Sequence, residues 1–278
     1  MKGIITKAIG GFFFVADDAQ NVHRTRIRGK IKEKVYPGDL VEFKEGMIEG
    51  LYPRKNLLHR PNIANVDQVL IVQSLAEPVL DKKLLDRFLV MVEAAGLVPL
   101  IVINKIDLMG EIDLEAGFKE YAAAGYKVYF ISVKQGIGIE SLINDLHERV
   151  NVLTGPSGVG KSSLINQFIA GVDLAVGEIS PRLKRGTHTT RHVELLPINK
   201  GGWVADTPGF TSLDISHISP EELTFLFPEF IEHLDRCKFR VCSHTHEPGC
   251  AVKKAVEEGE LSSSRYDSYQ LFYQELLD

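Results

Sequence analysis

The sequence has 278 residues, of which 44% are hydrophobic, and its formal net charge is −5. This length and composition predict a soluble globular protein of two or three domains. The early apolar run from Ile9 to Ala16 is too short to span a membrane and lacks a small-residue cleavage site, so we expect a strand there and exclude a signal peptide.

The N-terminal segment is the basic part of the chain. Residues 1–60 carry 12 Lys and Arg against 7 Asp and Glu, residues 61–213 carry 14 against 17, and residues 214–278 carry 6 against 13. Short apolar stretches separated by turn residues predict an all-β module, a small OB-type barrel over residues 1–62.

One stretch of this module has a regular charge pattern. Every even position from Arg24 to Lys34 is basic, whereas Ile27 and Ile31 occupy odd positions. On a strand of period two, the charges would share one face and the isoleucines the other. A solvated strand face is the simplest interpretation, but six cations on a barrel that often binds oligonucleotides favour contact with RNA or its phosphate backbone.

Residues 63–212 alternate between apolar strands and helices. The predicted strands are 67–74, 97–104, 126–132, 150–155, 191–198 and 202–207. The predicted helices are 82–95, which begins after an Asp81 cap and ends at Gly96, and then 113–124, 139–149 and 161–170. This alternation predicts an α/β domain with a largely parallel sheet covered on both faces.

A phosphate-binding loop follows the predicted strand at 150–155. The motif G-x-x-x-x-G-K-S comprises Gly155, Pro156, Ser157, Gly158, Val159, Gly160, Lys161 and Ser162, with Ser163 after it. The glycines allow backbone N–H groups to surround phosphates, Lys161 reaches the β and γ phosphates, and Ser162 ligates Mg²⁺. The motif alone indicates a nucleotide without identifying the base.

Base selection is predicted from two strand ends. Asn104, Lys105, Ile106 and Asp107 form "NKID", in which the Asp107 carboxylate would accept hydrogen bonds from guanine N1–H and the 2-amino group. Asn104 would support the loop, and the Lys105 stem would pack over the ring. On the next strand, Ser132 of "ISVK" and its neighbours would offer backbone N–H groups to guanine O6.

The catalytic side of the site is predicted from "DTPG" and the segment before it. Asp206 would hold Mg²⁺ through water and the Gly209 N–H would face the γ-phosphate. Thr190 or Thr189 would complete the Mg²⁺ shell, and we favour Thr190. Phe210 stands where many GTPases carry a water-orienting glutamine, so we hypothesise that His188 takes that role, a structural or RNA-contacting histidine being the alternative.

The cysteines indicate a metal site rather than disulfides. Cys237, Cys242, His244 and Cys250 form C-x4-C-x-H-x5-C, a ligand set suited to one structural Zn²⁺ in a reducing cytoplasm. His246 is an alternative ligand. This part of the chain, 213–278, is predicted to be polar and helical, with little apolar residue to bury free cysteines.

In their order and combination these motifs resemble the RsgA or YjeQ family of circularly permuted GTPases, in which the phosphate loop follows "NKID" in the chain. The resemblance implies a P-loop GTPase domain over 63–212 between the barrel and a helical zinc domain over 213–278. It implies GTP or GDP with Mg²⁺, hydrolysis stimulated by the small ribosomal subunit, contact with ribosomal RNA, and a late role in subunit maturation.

Three alternatives stay open from the sequence: a permuted GTPase of the large subunit, a non-catalytic RNA-binding module, and a P-loop ATPase or kinase. We expect a cytoplasmic monomer without membrane contact. Because the γ-phosphate sensor leads directly into the zinc domain, we also predict that GTP changes the orientation of that domain and tightens ribosome binding.

Overall fold

The structure is a computed structural model that describes residues 1–59, 61–110, 113–169, 193–206 and 213–278, with only the backbone of Asp206. Three parts follow one another along the chain. They are a closed β-barrel, a six-stranded sheet flanked by helices, and a helical C-terminal part. The predicted fold class is therefore confirmed.

The barrel is built from five strands in the closed order β1-β2-β3-β5-β4. They are β1 (Lys2–Ile9), β2 (Phe12–Ala16), β3 (Val22–Ile27), β4 (Leu40–Lys44) and β5 (Met47–Leu51). Ile5, Val15 and Ile48 are among the side chains that fill the interior. The single strand predicted for Ile9–Ala16 is wrong, because Gly10 and Gly11 have positive φ angles and turn the chain between β1 and β2.

The basic stretch leaves the barrel sheet partway along its length. Strand β3 ends at Ile27, so it carries Arg24 and Arg26 but not the four basic residues that follow. A turn lies at Gly29 and Lys30, where a turn would still keep both arms basic, but no second strand follows it up to Lys34, so a single strand over the whole stretch is wrong. All six basic residues are nevertheless exposed. Ile27 and Ile31 pack against the barrel core, as the alternation predicts. The guanidinium carbons of Arg24 and Arg26 lie 3.6 and 4.6 Å from the ring centre of Phe12.

A short antiparallel hairpin, β6 (Leu57–His59) and β7 (Asn62–Ala64), joins the barrel to the sheet. It packs closely on the barrel, since a Cβ at Gly38 would lie 2.0 Å from the Ala64 carbonyl oxygen. The Asn65 side-chain amide also donates to the Gly38 carbonyl at 2.8 Å. The proposed domain limit at residue 62 falls within this hairpin.

The sheet has the order β10-β9-β8-β11-β13-β12. Its strands are β8 (Gln68–Ser74), β9 (Val98–Asn104), β10 (Lys127–Phe130), β11 (Val150–Thr154), β12 (Leu195–Pro197) and β13 (Trp203–Asp206). Five of them are parallel, whereas β12 is antiparallel to β13. The strand predicted at 191–198 is thus a short antiparallel edge strand, because the tight turn through Gly201 and Gly202 leaves no room for a crossover.

Helices cover both faces of this sheet. They are α1 (Lys82–Ala94), α2 (Lys119–Ala123), α3 (Ile139–Leu146) and α4 (Lys161–Ile169). The Asp81 carboxylate caps α1 as predicted, accepting from the Lys83 N–H at 2.9 Å. The helix predicted over 113–124 is shorter, with a 3-10 turn around Gly117 before α2. Helix α3 ends early because His147 has a non-helical ψ of 138°, followed by Glu148 with a φ of +55°.

The C-terminal part contains α5 (Pro220–Leu223), α6 (Ile231–Leu234), α7 (Ala251–Glu257) and α8 (Ser263–Leu277). Its aromatic side chains, including Phe227, Phe230, Tyr269 and Phe272, form a buried core that also takes in Val90 of α1. The expectation of little apolar residue to bury is therefore wrong. No helix in the described ranges combines the length and apolarity needed to cross a bilayer.

A buried arginine fixes this part on α1. Arg265 of α8 is 1% exposed, and its guanidinium donates to Asp86 of α1 at 2.8 Å and to Glu229 at 2.7 Å. Burial raises the pKa of Asp86, although Arg265 acts in the opposite direction. Beside this group, Arg87 forms a two-pronged ion pair with Glu275 of α8 and donates to the Leu213 carbonyl at 3.1 Å.

Candidate functional site

The candidate nucleotide site lies at the carboxyl edge of the parallel strands, where the loop after β11 turns into α4. Two positions of this loop require glycine, because its backbone lies too close to neighbouring residues to leave room for a Cβ atom. A Cβ at Gly155, which has a φ of +132°, would lie 2.0 Å from the Val72 carbonyl oxygen of β8. A Cβ at Gly160, with a φ of +99°, would lie 2.4 Å from the Asn104 amide nitrogen. The loop backbone is therefore seated directly on β8 and on the end of β9.

The polar groups of the loop are arranged for an anion. The Lys161 ammonium donates to the carbonyls of Gly155 at 2.9 Å and Pro156 at 2.7 Å, which places its positive charge over the loop. Val159 is fully buried in the sheet core and anchors the loop, whereas Ser157, Gly158, Ser162 and Ser163 are exposed. A cation at the N-terminus of a helix, such as Lys161 at the start of α4, is the usual setting for a bound phosphate.

Asn104 holds three loops together. Its side chain is buried at 2% exposure, and its amide nitrogen donates to the Val159 carbonyl of the phosphate loop at 2.8 Å. Its amide oxygen accepts from the Val133 N–H at 3.1 Å. The phosphate loop, "NKID" and "ISVK" are thus brought to one place, as the sequence predicts.

Ser132 orients Asp107 rather than offering its own N–H. The Ser132 hydroxyl donates to the Asp107 carboxylate at 2.6 Å, while the Ser132 N–H donates to the Ile137 carbonyl at 3.1 Å. The prediction that the Ser132 N–H meets guanine therefore does not hold. The N–H groups of Val133 and Gln135 also have partners. Among residues 132–135, the Lys134 N–H is the one without a described partner, and residue type gives no indication of this.

Lys105 crosses to the neighbouring strand end. It has a left-handed backbone with a φ of +66°, and its ammonium donates to the Glu77 carbonyl after β8. Pro78 lies 3.7 Å from the position that a Cβ on Gly158 would occupy. The segment after β8 thus borders both the "NKID" loop and the predicted phosphate loop, which the sequence does not indicate because the contact depends on a main-chain carbonyl.

The Mg²⁺ side of the site is described only in part. Asp206 ends β13, and its backbone pairs in register with Leu153, directly before the phosphate loop. His188, Thr189, Thr190, Gly209 and Phe210 lie outside the described residues. Their assigned roles stay predictions.

The predicted zinc ligands meet in the C-terminal part. One ligand atom each from Cys237, Cys242, His244 and Cys250 lies within 4.8 Å of the others. The His244 Nδ1 is 3.3 Å from the Cys250 sulfur, and backbone N–H groups donate to two of the sulfurs. Zinc–sulfur bonds of about 2.3 Å in a tetrahedron fit such a cluster. His246 is outside it and bonds to Thr245 at 2.9 Å, so the alternative ligand is wrong.

Neighbouring side chains hold the His244 loop in place. The Tyr266 hydroxyl donates to the His244 carbonyl at 2.7 Å, and the Tyr269 hydroxyl donates to the Ser243 carbonyl at 2.8 Å. Burial raises the pKa of the Cys242 thiol to about 12 and lowers the pKa of His244. A neutral imidazole is ready to ligate a metal, whereas binding of a cation would have to displace the thiol protons.

Comparison with known families gives matches over most of the chain. A model described as the RsgA GTPase matches residues 51–216, and one described as the RsgA N-terminal domain matches residues 2–48. These two ranges correspond to the sheet with its flanking helices and to the barrel.

Similar proteins match over nearly their whole length. A small ribosomal subunit biogenesis GTPase RsgA of Halalkalibacterium halodurans is 46% identical, with 99% of this chain and 97% of that protein covered. The protein of the same name from Streptococcus pneumoniae is 44% identical, with 99% and 94% covered. Among solved structures, YloQ, described as a circularly permuted GTPase, has a TM-score of 0.84 at 41% identity, covering 100% of this chain and 95% of its own. YjeQ from Thermotoga maritima has a TM-score of 0.84 at 38% identity, covering 99% and 98%.

Proposed function

The chain belongs to the RsgA family of circularly permuted GTPases, and from this premise we propose that it binds the small ribosomal subunit, hydrolyses GTP there late in maturation, and is then released. Family membership makes the protein a GTP hydrolase, so the alternatives of an ATPase, a kinase or a non-catalytic RNA-binding module are wrong. The observation that carries the proposal is the junction at Asn104, which joins a phosphate loop to two base-selecting loops.

Guanine selection would depend on a carboxylate and a backbone N–H at the ends of two neighbouring strands. The Asp107 carboxylate, which accepts a hydrogen bond from the Ser132 hydroxyl, would also accept hydrogen bonds from guanine N1–H and the 2-amino group. The backbone N–H of Lys134 would donate to guanine O6. Adenine presents an acceptor at N1 and has no 2-amino group, so it would leave the carboxylate unpaired, which is costly. The Lys105 stem would pack on the base.

Phosphate and Mg²⁺ binding would use the loop and the neighbouring strand end. Backbone N–H groups of residues 157–163 and the Lys161 ammonium would hold the phosphates, and Pro156, which lacks an N–H, would shape the loop. When bound, Mg²⁺ would neutralise charge between the β and γ phosphates. Its proposed ligands are Ser162, Asp206 through water, and Thr190 or Thr189, with the Gly209 N–H on the γ-phosphate.

Water activation requires a polar group at another position, because Phe210 cannot orient water. We propose that His188 positions the attacking water once the ribosomal subunit is bound. Phosphate release by His188→Ala should then lose its stimulation by small subunits while GTP binding persists. Unchanged stimulation would exclude His188 from this role.

RNA contact is assigned to the exposed basic residues on the barrel. Arg24 and Arg26 lie on β3 beside Phe12, and Arg28, Lys30, Lys32 and Lys34 continue along the exposed stretch after it. Such a row of cations suits a phosphate backbone, and its binding would weaken with salt. We propose ribosomal RNA of the small subunit as the partner, which places the protein in the cytoplasm.

The four metal ligands support a structural Zn²⁺. Three thiolates and one imidazole complete a tetrahedral shell, so no position would be open for a substrate or water. We propose that the ion stabilises residues 237–250 and takes no part in hydrolysis. The limits 1–62, 63–212 and 213–278 are our proposed domains, and the protein is proposed to act as a monomer.

The test is the rate of phosphate release from GTP with isolated small subunits, with large subunits, and without either. We expect small subunits alone to increase the rate. Stimulation by large subunits only, or by neither, would contradict the proposed function.

A further inference from the structure

The barrel touches the sheet at the strand that follows the predicted switch loop. Lys7 of β1 and Glu194, the residue before β12, form an isolated antiparallel bridge. Their side chains make an ion pair, with 2.8 Å between Nζ and Oε2, and are 28% and 40% exposed. In the sequence, Glu194 comes shortly after Thr189 and Thr190.

This contact lies at the end of a row that crosses the barrel. Lys7 is directly opposite Phe14 in the β1–β2 ladder, and Phe14 is directly opposite Arg24 in the β2–β3 ladder. Residues directly opposite each other in a ladder have side chains on the same face. Glu194, Lys7, Phe14 and Arg24 therefore form one continuous row from the sheet edge to the basic residues of the barrel.

Apolar packing reinforces the same contact. Ile4 and Ala16 of the barrel belong to one buried cluster with Leu195 of β12 and Ala205 of β13. Strand β12 thus lies between the barrel and β13, and β13 ends at Asp206. The barrel consequently packs on the strand that leaves the predicted switch loop and, through it, on the strand that leads to the predicted Mg²⁺ ligand.

We propose that the Lys7–Glu194 pair couples RNA bound on the barrel to the strand after the predicted switch loop, and so transmits stimulation of GTP hydrolysis. This inference rests on the proposed function, because it requires a small subunit that stimulates the enzyme. Lys7 and Glu194 act here as positioning residues. Neither is assigned to the nucleotide site or to the proposed RNA-contacting cations between Arg24 and Lys34.

The size of the effect follows from the exposure of the pair. A partly exposed ion pair contributes modestly, and coupling between two sites usually corresponds to a factor between about 5 and 150. We therefore expect loss of the pair to lower the maximal stimulated rate about fivefold.

The test compares Lys7→Glu, Glu194→Lys and the double reversal with the wild-type protein. Phosphate release is measured without subunits and over a titration of isolated small subunits. Lys200→Glu is the matched control, since Lys200 lies in the β12–β13 turn and forms an exposed 3.1 Å pair with Glu140, away from the barrel.

Each single reversal should keep the unstimulated rate and the half-saturating subunit concentration but lose most of the maximal stimulation. The double reversal should restore it, and Lys200→Glu should behave as wild type. Wild-type stimulation in both single variants would overturn the inference alone. A raised half-saturating concentration with an unchanged maximum would also overturn it, because Lys7 would then be only an RNA contact. A wild-type protein that small subunits do not stimulate would contradict the proposed function itself.

Discussion

At the scale of single residues, the nucleotide site depends on side chains that position other groups. Asn104 joins three loops through two hydrogen bonds, and Ser132 holds the Asp107 carboxylate from a fully buried position. Fixing these groups before the nucleotide arrives lowers the entropic cost of binding. The selectivity for guanine should therefore depend strongly on Asp107 and more weakly on Ser132.

Asp107→Asn should exchange one base preference for another. An amide can donate to the 2-oxo group of xanthine but cannot accept two hydrogen bonds as a carboxylate does from guanine. We expect GTP affinity to fall roughly 100-fold, about 2.7 kcal/mol, while xanthosine triphosphate gains affinity. Titration calorimetry with both nucleotides measures this change.

Ser132→Ala is the matched variant for this measurement. It removes the hydroxyl that orients Asp107 but keeps the carboxylate, so GTP affinity should fall by only about 1 kcal/mol, with no gain for xanthosine triphosphate. Equal losses in the two variants would contradict direct contact between Asp107 and the base.

The sequence predicted the site residues that belong to short motifs, because the spacing within such a motif already determines the chemistry. Gly155 and Lys161 belong to a motif whose spacing itself defines the loop, and Cys237 and Cys250 have ligand spacing. The sequence did not predict which backbone N–H groups could reach a ligand. The N–H groups of Ser132 and Lys134 are chemically alike and differ only in the hydrogen bonds that they form after folding.

At the scale of elements, the contact between α1 and α8 determines how the C-terminal part is held. Asp86 and Arg265 are far apart in the sequence, and neither stands in a local pattern that indicates burial. For the same reason the sequence did not predict the aromatic core around Phe227, which forms only when α8 packs on α1. Likewise, β12 became antiparallel through its connection to β13 rather than through its own residue pattern.

Asp86→Ala should destabilise the protein by about 3 kcal/mol, because it leaves the Arg265 charge buried with Glu229 as its one ionic partner among the described residues. The free energy of unfolding by urea provides the measurement. Lys127→Ala removes an exposed ion pair with Asp145 and should cost less than about 1 kcal/mol. Equal costs would contradict a structural role for the buried pair.

The histidines of the C-terminal part allow a direct test of the metal site. We expect one zinc per chain in the purified protein by elemental analysis. His244→Ala should lose most of it and lower the melting temperature, whereas His246→Ala should retain it, since His246 is exposed and outside the ligand cluster. Zinc loss in His246→Ala, or its retention in His244→Ala, would contradict the assigned ligands.

At the scale of the whole molecule, the barrel and the C-terminal part both pack against the part of the chain that contains the six-stranded sheet. The barrel packs on β12, and the C-terminal part is fixed on α1 by Asp86, Arg265 and Arg87. The sequence predicted that GTP reorients the zinc domain. With these contacts in place, we expect that domain to move together with α1 rather than alone.

We propose that the nucleotide state controls association with the small ribosomal subunit. The most direct test is the dissociation constant for isolated small subunits, measured with the protein bound to a non-hydrolysable GTP analogue and to GDP. We predict at least about tenfold tighter binding with the GTP analogue. Equal dissociation constants for the two states would contradict the claim.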